Sequence, residues 1–305
     1  VSTGKYTTCG ITTAGQLKCW GYNTNGQVGD GTAINRTAPV VIDSGTNYAD
    51  VSVGDMRTCG VTTAGVAKCW GKNISFLLAT GGATTQTTPY VVDSGTNYQQ
   101  ISVLTHVCGV TIANQVKCWG DNVYGQLGRG NTVASGIPTV VNGGATYSKI
   151  AVGDGHSCAV ATDGALRCWG RNAIHQVDSS GLNRLDPTVI HSGTSYTSVS
   201  TGFISTCGKT ASGRWQCWGN NTYGQLGNGS VNVSIQDETP LRTQLPCLAM
   251  SSGKAVIGGG GGGGVGVAGG NGGGLILLWA REISGSGALY IKSNGALGNN
   301  TTGAS

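Results

Sequence analysis

The chain has 305 residues, 55 of them glycine, with 38% hydrophobic and only 10% charged residues and a formal charge of +5 at pH 7. That composition argues against a helix-rich enzyme and for a turn-rich β protein with a low-complexity part. The 18 basic residues are scattered, so no run can follow a phosphate backbone and nucleic acid is not an expected partner. No apolar stretch approaches the roughly 20 residues a membrane helix needs; the longest, Leu275 to Trp279, is strand-length. The opening VSTGKYTTCG has neither a basic nor an apolar leader region, which reads as a signal peptide absent or already removed.

Taken in chain order, the first element is a hairpin over TCGITTAGQLKCWG, and it recurs as TCGVTTAGVAKCWG, VCGVTIANQVKCWG, SCAVATDGALRCWG and TCGKTASGRWQCWG. The first cysteines of the five copies are Cys9, Cys59, Cys108, Cys158 and Cys207, a period of 49 to 50 residues. Between hairpins come a Pro-led strand, beginning at Pro39, Pro89, Pro138 and Pro187, and a VSVG-like strand such as Val51 to Gly54. Alternation sets Cys9 opposite Cys19 and Ile11 opposite Leu17, with the loop Thr13-Ala14-Gly15 closing the turn. Such a loop needs its last residue in the left-handed region, and Gly15, Gly65, Asn114, Gly164 and Gly213 stand there. The same register pairs Val61 with Ala67, Val110 with Val116 and Val160 with Leu166; Lys209 opposite Trp215 breaks the apolar pattern.

In this register the two cysteines of each copy fall on a non-hydrogen-bonded pair, where Cα atoms approach to about 4.5 Å, a separation a disulfide tolerates. Five cross-strand bridges are expected: Cys9 with Cys19, Cys59 with Cys69, Cys108 with Cys118, Cys158 with Cys168, and Cys207 with Cys217. Free buried thiols in a reducing compartment are the alternative. A zinc site would want Cys-x2-Cys knuckles, and none occurs. Bridges would place the chain in an oxidising setting, extracellular or on a cell or virion surface. Cys247, without a repeat partner, is either a buried thiol or an intermolecular link. Asn-x-Ser/Thr sequons at Asn35, Asn73, Asn220, Asn228 and Asn232, with Asn299 and Asn300 near the end, are candidate glycosylation sites.

At CWGYNTNGQVGDGT (Cys19 to Thr32), CWGDNVYGQLGRGNT (Cys118 to Thr132) and CWGNNTYGQLGNGS (Cys217 to Ser230) the chain resembles the regulator of chromosome condensation repeat family. The resemblance spans residues 1–253 and implies an all-β fold, a β-propeller of four-stranded blades around a channel. The family's propellers usually have seven blades, whereas five units are detectable here. The segment from Pro240 is available to supply a missing strand and close the first blade; an open arc, or completion by residues absent from this chain, are the other arrangements. Unit two (GKNISFLLATGG) and unit four (GRNAIHQVDSSG) depart from the Gly-Gln-Leu-Gly core, which puts their loops in question. The best-known family function, nucleotide exchange on a small nuclear GTPase with chromatin binding, does not suit a cysteine-rich chain lacking a basic tail. Secreted bacterial proteins of similar architecture act as protein-binding modules or surface components.

Residues 254–305 change abruptly to a glycine-rich β or irregular segment, with seven consecutive glycines from Gly258 to Gly264. Ordering such a run costs much conformational entropy, so it reads as a linker or as a stacked extended segment. No carboxylate pair, cofactor motif or metal set emerges, and no enzyme activity or cofactor is expected. His106 and His156 share one repeat position, filled elsewhere by Thr7, Arg57 and Ser205, which suits a hydrogen-bonded structural role. Candidate interface residues are Tyr22, Tyr124 and Tyr223 in the loops after the Cys-Trp-Gly triplets, and Phe76, Leu77 and Leu78 in unit two. The resulting expectation is a non-enzymatic secreted or surface structural or adhesive protein, a component of an appendage, fibre or viral tail, partnered by its own copies or other surface proteins. A soluble protein- or glycan-binding module, inhibitor or lectin-like, is the alternative.

Overall fold

A computed structural model describes residues 1–74, 84–229, 231 and 234–240, the last of these as backbone. Every regular element among them is a β-strand. The first four-stranded antiparallel sheet runs β1 (Ser2–Thr3), β2 (Thr7–Ile11), β3 (Leu17–Gly21) and β4 (Arg36–Val41). The second is β5 (Tyr48–Val53), β6 (Arg57–Thr62), β7 (Ala67–Gly71) and β8 (Gln86–Val91), and the third β9 (Tyr98–Val103), β10 (His106–Thr111), β11 (Val116–Gly120) and β12 (Ser135–Val140). The fourth opens with β13 (Tyr147–Val152), β14 (His156–Ala161) and β15 (Ala165–Gly170), and its outer strand is the first half of the long β16 (Arg184–Thr201). The second half of β16 is the inner strand of the fifth sheet, completed by β17 (Ser205–Thr210), β18 (Trp215–Asn220) and β19 (Ser234–Pro240). Each sheet is thus one blade, and the chain is an all-β propeller built of repeats.

The hairpin in each blade has the register that the alternation dictates. Cys9 faces Cys19 and Ile11 faces Leu17 in blade 1, and the same offsets hold in the other four blades, down to Lys209 facing Trp215. The five disulfides bridge Cα atoms 4.1 to 4.2 Å apart. Gly15, Gly65, Asn114, Gly164 and Gly213 take φ values of 82, 84, 60, 86 and 85°, the left-handed geometry that closes the three-residue turn. The Pro-led strands are outermost in their own blades, Pro240 faces Gln216 in blade 5, and blade 1 has its own inner strand, β1; the segment that follows Pro240 lies outside the described residues.

Successive blades meet through buried apolar clusters, and each cluster holds the tryptophan of the following blade: Trp70 with Cys9, Leu17 and Val28, for example, and Trp169 with Val110, Val116 and Leu127. Trp70, Trp119 and Trp169 are fully buried. The indole also reads the neighbouring backbone. Trp70 Nε1 donates to the Gln27 carbonyl at 3.0 Å, Trp169 to that of Gln126 at 2.8 Å, and Trp218 to that of Gln176 at 3.1 Å. A hydroxyl of the same hairpin, Thr58, Ser157 or Thr206, donates to the same carbonyl. Inner strands are stitched as well: the amides of Val53, Val103 and Val152 donate to Ser2, Ser52 and Ser102 of the preceding blade at 3.0 to 3.1 Å. On the outer side Asp43 accepts from Tyr48 at 2.7 Å and from Lys68 at 2.6 Å, and Asp93 repeats this with Tyr98 and Lys117. Burial opposes ionisation of Asp43, but the hydrogen bonds of Lys68 and Tyr48 hold its carboxyl below the ordinary range.

Candidate functional site

In every blade the β1–β2-type turn and the long loop between the third and fourth strands lie at the same end of the molecule. Backbone bonds fasten one to the other: Tyr22 to Tyr6, Lys72 to Met56, Arg171 to Gly155 and Asn220 to Ile204, each N–H to carbonyl at 2.7 to 3.0 Å. The short hairpin turns and the turns that lead into the next blade form the opposite end.

The long loops are shaped from within by two buried amides. Asn23, Asn122, Asn172 and Asn221 are fully buried. Their Oδ1 atoms accept the amides of Val28, Leu127, Val177 and Leu226 at 2.8 to 2.9 Å. The Nδ2 atoms of the first three donate to the carbonyls of Ile34, Val133 and Leu182 at 3.0 to 3.2 Å. The side-chain carbonyls of Gln27, Gln126, Gln176 and Gln225 accept the amides of Asn25, Tyr124, Ile174 and Tyr223 at 2.9 to 3.1 Å. These bonds explain why Asn and Gln stand at those places in the repeat, and the glycines have a separate reason. A Cβ on Gly29 would lie 2.4 Å from Trp70 Nε1, and one on Gly128 would lie 2.9 Å from Trp169 Nε1. Unit four keeps the whole cage despite its changed sequence: Asn172 and Gln176 are in place, His175 takes the left-handed φ of 58° where units one and three have glycine, and Asp178 pairs with Arg184 at 2.6 Å. Its loop is therefore of the common type. Unit two's loop lies largely outside the described residues.

This construction clamps the backbone and points apolar side chains outward. Ile34, Val133 and Leu182 occupy matching loop positions in three blades and are 63 to 69% exposed, and Val231 in the loop of blade 5 is 69% exposed. Around them on the same end stand Tyr6, Met56, Val123, Phe203 and Tyr223, all exposed, Tyr223 at 89%. Across the turns and loops of the opposite end Ile112 is the one exposed large apolar side chain among the described residues. A single exposed aliphatic residue needs no explanation, and six large apolar side chains among the described residues stand exposed along the outer strands, Val41, Tyr90, Val91, Ile137, Val140 and Val189; the group gathered at one loop end is the candidate contact surface.

The named candidates fall unevenly on this face. Tyr22 packs edge-on against Tyr6, with ring centroids 6.0 Å apart. Tyr124 is held under the Arg171 guanidinium, 5.1 Å from its centroid, and abuts Gly155, so it serves the seam between blades 3 and 4. Tyr223, the equivalent residue of blade 5, is free to meet a partner. Phe76, Leu77, Leu78, Asn232 and Cys247 lie outside the described residues. Among the sequons Asn35 is exposed, its Oδ1 accepting the Asn23 amide at 2.8 Å, whereas Asn73 is buried; Asn220 and Asn228 are half-buried. Asp154, half-buried beside Arg171 at 3.4 Å, has its carboxyl pushed up, by burial first and then by the charges of Asp55 and Asp121, with Arg171 opposing. His106 and His156 are buried between blades and hydrogen-bonded to Ser157 and Thr206. No group of three or more metal-ligating side chains occurs among the described residues, and no helix among them is long and apolar enough to cross a membrane.

Repeated four-stranded blades joined by tryptophan seams define a β-propeller. The repeat itself is recognisable: models described as the regulator of chromosome condensation (RCC1) repeat match residues 114–160 and, in a second form, 1–27 and 147–176. The chain carries RCC1 repeats and has the RCC1-type β-propeller fold. Among solved structures it is similar to human WBSCR16 at 17% identity and a TM-score of 0.69, over 78% of this chain and 65% of that one. Prp20p from Saccharomyces cerevisiae, whose structure is described with its binding to Gsp1p and histones, matches at 18% identity and a TM-score of 0.68, over 78% and 62%. Yeast RCC1 (Prp20) bound to Kap60 gives 18% and 0.68, over 78% and 60%. The chain thus spans less than two thirds of the length of these proteins, and at such identity the likeness concerns the fold. A search of curated protein sequences gave no significant match.

Proposed function

We propose that this chain is a non-enzymatic, disulfide-stapled protein-binding propeller that works outside the cytosol as a structural or adhesive component, meeting its own copies or other surface proteins through the loop face. The observation that carries this reading is that, of the two loop ends of the blades, one gathers many exposed large apolar side chains while the other has Ile112 alone among the described residues. Two further facts support it. Propellers of this fold engage proteins, as Prp20p does with Gsp1p and histones, and five cross-strand disulfides belong to an oxidising compartment. A head-to-tail contact that does not close on itself would extend into a filament.

The test is self-association of the oxidised chain, followed by light scattering and negative-stain imaging as concentration rises. Leu182→Asp and Phe203→Asp should each weaken assembly by at least about tenfold in concentration, the effect of removing one interface anchor, while Ile112→Asp on the opposite end leaves it unchanged. Discrete wild-type monomers at high concentration would sink the structural reading and leave the soluble protein- or glycan-binding module.

A further inference from the structure

The tyrosine that opens each inner strand finds an acceptor in blades 2, 3 and 5. Tyr48 donates to Asp43 at 2.7 Å and Tyr98 to Asp93 at 2.5 Å. A lysine of the same blade donates to the same carboxylate oxygen, Lys68 at 2.6 Å and Lys117 at 2.8 Å, and Lys117 also reaches the Thr96 hydroxyl at 2.8 Å. In blade 5 Tyr196 donates to Gln216 at 2.7 Å. In the first two seams one carboxylate therefore satisfies a phenol and a cation together.

Blade 4 keeps both donors and has lost the acceptors. Tyr147 stands at the tyrosine position, and Arg167 faces Ala159 as Lys68 faces Gly60 and Lys117 faces Gly109. Five residues before the tyrosine the aspartate has become Asn142, and two before it Ala145 replaces Thr46 and Thr96. Asn142 is exposed and donates to Asp186 at 2.7 Å. Tyr147 is fully buried, and neither its hydroxyl nor Arg167 Nε has a hydrogen-bond partner among the described residues. The two groups sense each other: burial pushes the Tyr147 hydroxyl up, the Arg167 charge opposes this, and that of Asp163 adds to it. Asp163 itself is exposed and accepts the Ala165 amide at 2.9 Å.

The surroundings differ in the same blade. A Cβ on Gly60, Gly109 or Gly208 would fall 2.6 to 2.8 Å from the ring of Tyr48, Tyr98 or Tyr196, and blade 4 has Ala159 there, so its tyrosine ring sits further from the hairpin. The turn leading into the blade is also rebuilt, with Gly143 and Gly144 at φ 91 and 61° and nothing within 4 Å of where their Cβ atoms would be. Arginine in place of lysine supplies a planar fork that matches a carboxylate, and buried donors without an acceptor are costly.

We propose that Tyr147 and Arg167 form a binding site for a carboxylate supplied from outside the chain, held as Asp43 and Asp93 are held in their seams. The phenol and the guanidinium donate to it, and the open turn at Asn142 to Gly144 is its way in. A free small carboxylate and an Asp or Glu side chain of a docked protein share this chemistry.

The probe is acetate, titrated into the full oxidised chain against chloride at constant ionic strength. It should shift the Arg167 Hε resonance along a saturating curve. At ten times the half-saturating concentration the melting temperature should rise by about 2 to 3 °C. Tyr147→Phe and Arg167→Gln should each weaken binding at least about tenfold. Asn142→Asp, whose carboxylate is repelled by Asp186 and attracted by Arg167, should do the same while the melting temperature in chloride stays level or rises, which separates a filled site from a damaged fold. A blocked peptide with one central Asp distinguishes the sources: binding at least about tenfold tighter than acetate assigns the site to a docked side chain, and equal binding to a free small carboxylate. An Arg167 resonance that ignores acetate, a thermal shift that Arg167→Gln retains, or undiminished acetate binding in Asn142→Asp would overturn the proposal.

Discussion

Mild acid should loosen the seams between blades 3, 4 and 5. His106 and His156 are fully buried, and their Nε2 atoms lie 2.6 and 3.0 Å from the hydroxyls of Ser157 and Thr206. Those hydroxyls already donate to the carbonyls of Gln126 and Gln176. Each must therefore accept from the imidazole, which fixes the neutral tautomer with its proton on Nε2. Burial, with His156 adding to it, drives His106 down to about 3; burial likewise takes His156 down to about 4. In the unfolded chain both histidines take up a proton near pH 6.5. Between that value and about 4 the unfolded state binds more protons than the native state, so stability is complete above 6.5 and is lost as pH falls. At pH 5 each histidine costs about 2 kcal/mol, and the pair on the order of 4 kcal/mol. Carboxylates held below the ordinary range, such as Asp30, Asp43 and Asp93, stay ionised throughout that window and do not imitate the effect. Urea unfolding between about pH 7.5 and 5 at constant ionic strength, compared with the doubly substituted His106→Asn, His156→Asn chain, isolates it. Wild type should lose most of this stability and the variant should stay flat; equal slopes in the two chains would refute the reasoning.

Gly29→Ala sets a Cβ against Trp70 at φ 89°, and a loss of about 2 to 4 kcal/mol is expected in chemical unfolding. Gly143→Ala, in open space at φ 91°, should lose about 1 kcal/mol from backbone strain alone. Reductant should lower the melting temperature, each bridge contributing up to about 3 kcal/mol, and should raise the intact mass by about 10 Da, two for each of five bonds. In a glycosylating host, peptide mapping should find sugar at exposed Asn35 and none at buried Asn73.

Hairpin register and turn chemistry were legible because both are local. Alternation around Cys9 and Cys19, with Gly15 at the turn, specifies the pairing without any distant residue. The seams are another matter. His106 meets Ser157 and Asp43 meets Lys68 across 51 and 25 positions, and in one copy of a repeat nothing marks such residues as partners. Unit four is irregular in sequence because it lacks the glycines of the Gly-Gln-Leu-Gly core, whereas the loop is held by Asn172 and Gln176, which remain. The apolar face was half visible: the tyrosines stood out as aromatic, but Ile34, Val133 and Leu182 gain meaning only once a buried asparagine is seen to clamp each carbonyl.

The glutamine carbonyls give the array a direction. Gln27 supports Trp70, Gln126 supports Trp169 and Gln176 supports Trp218, always from one blade to its successor. Damage to a loop is therefore felt first by the downstream neighbour, and structural order passes along the chain like a one-way handrail from the amino to the carboxyl end.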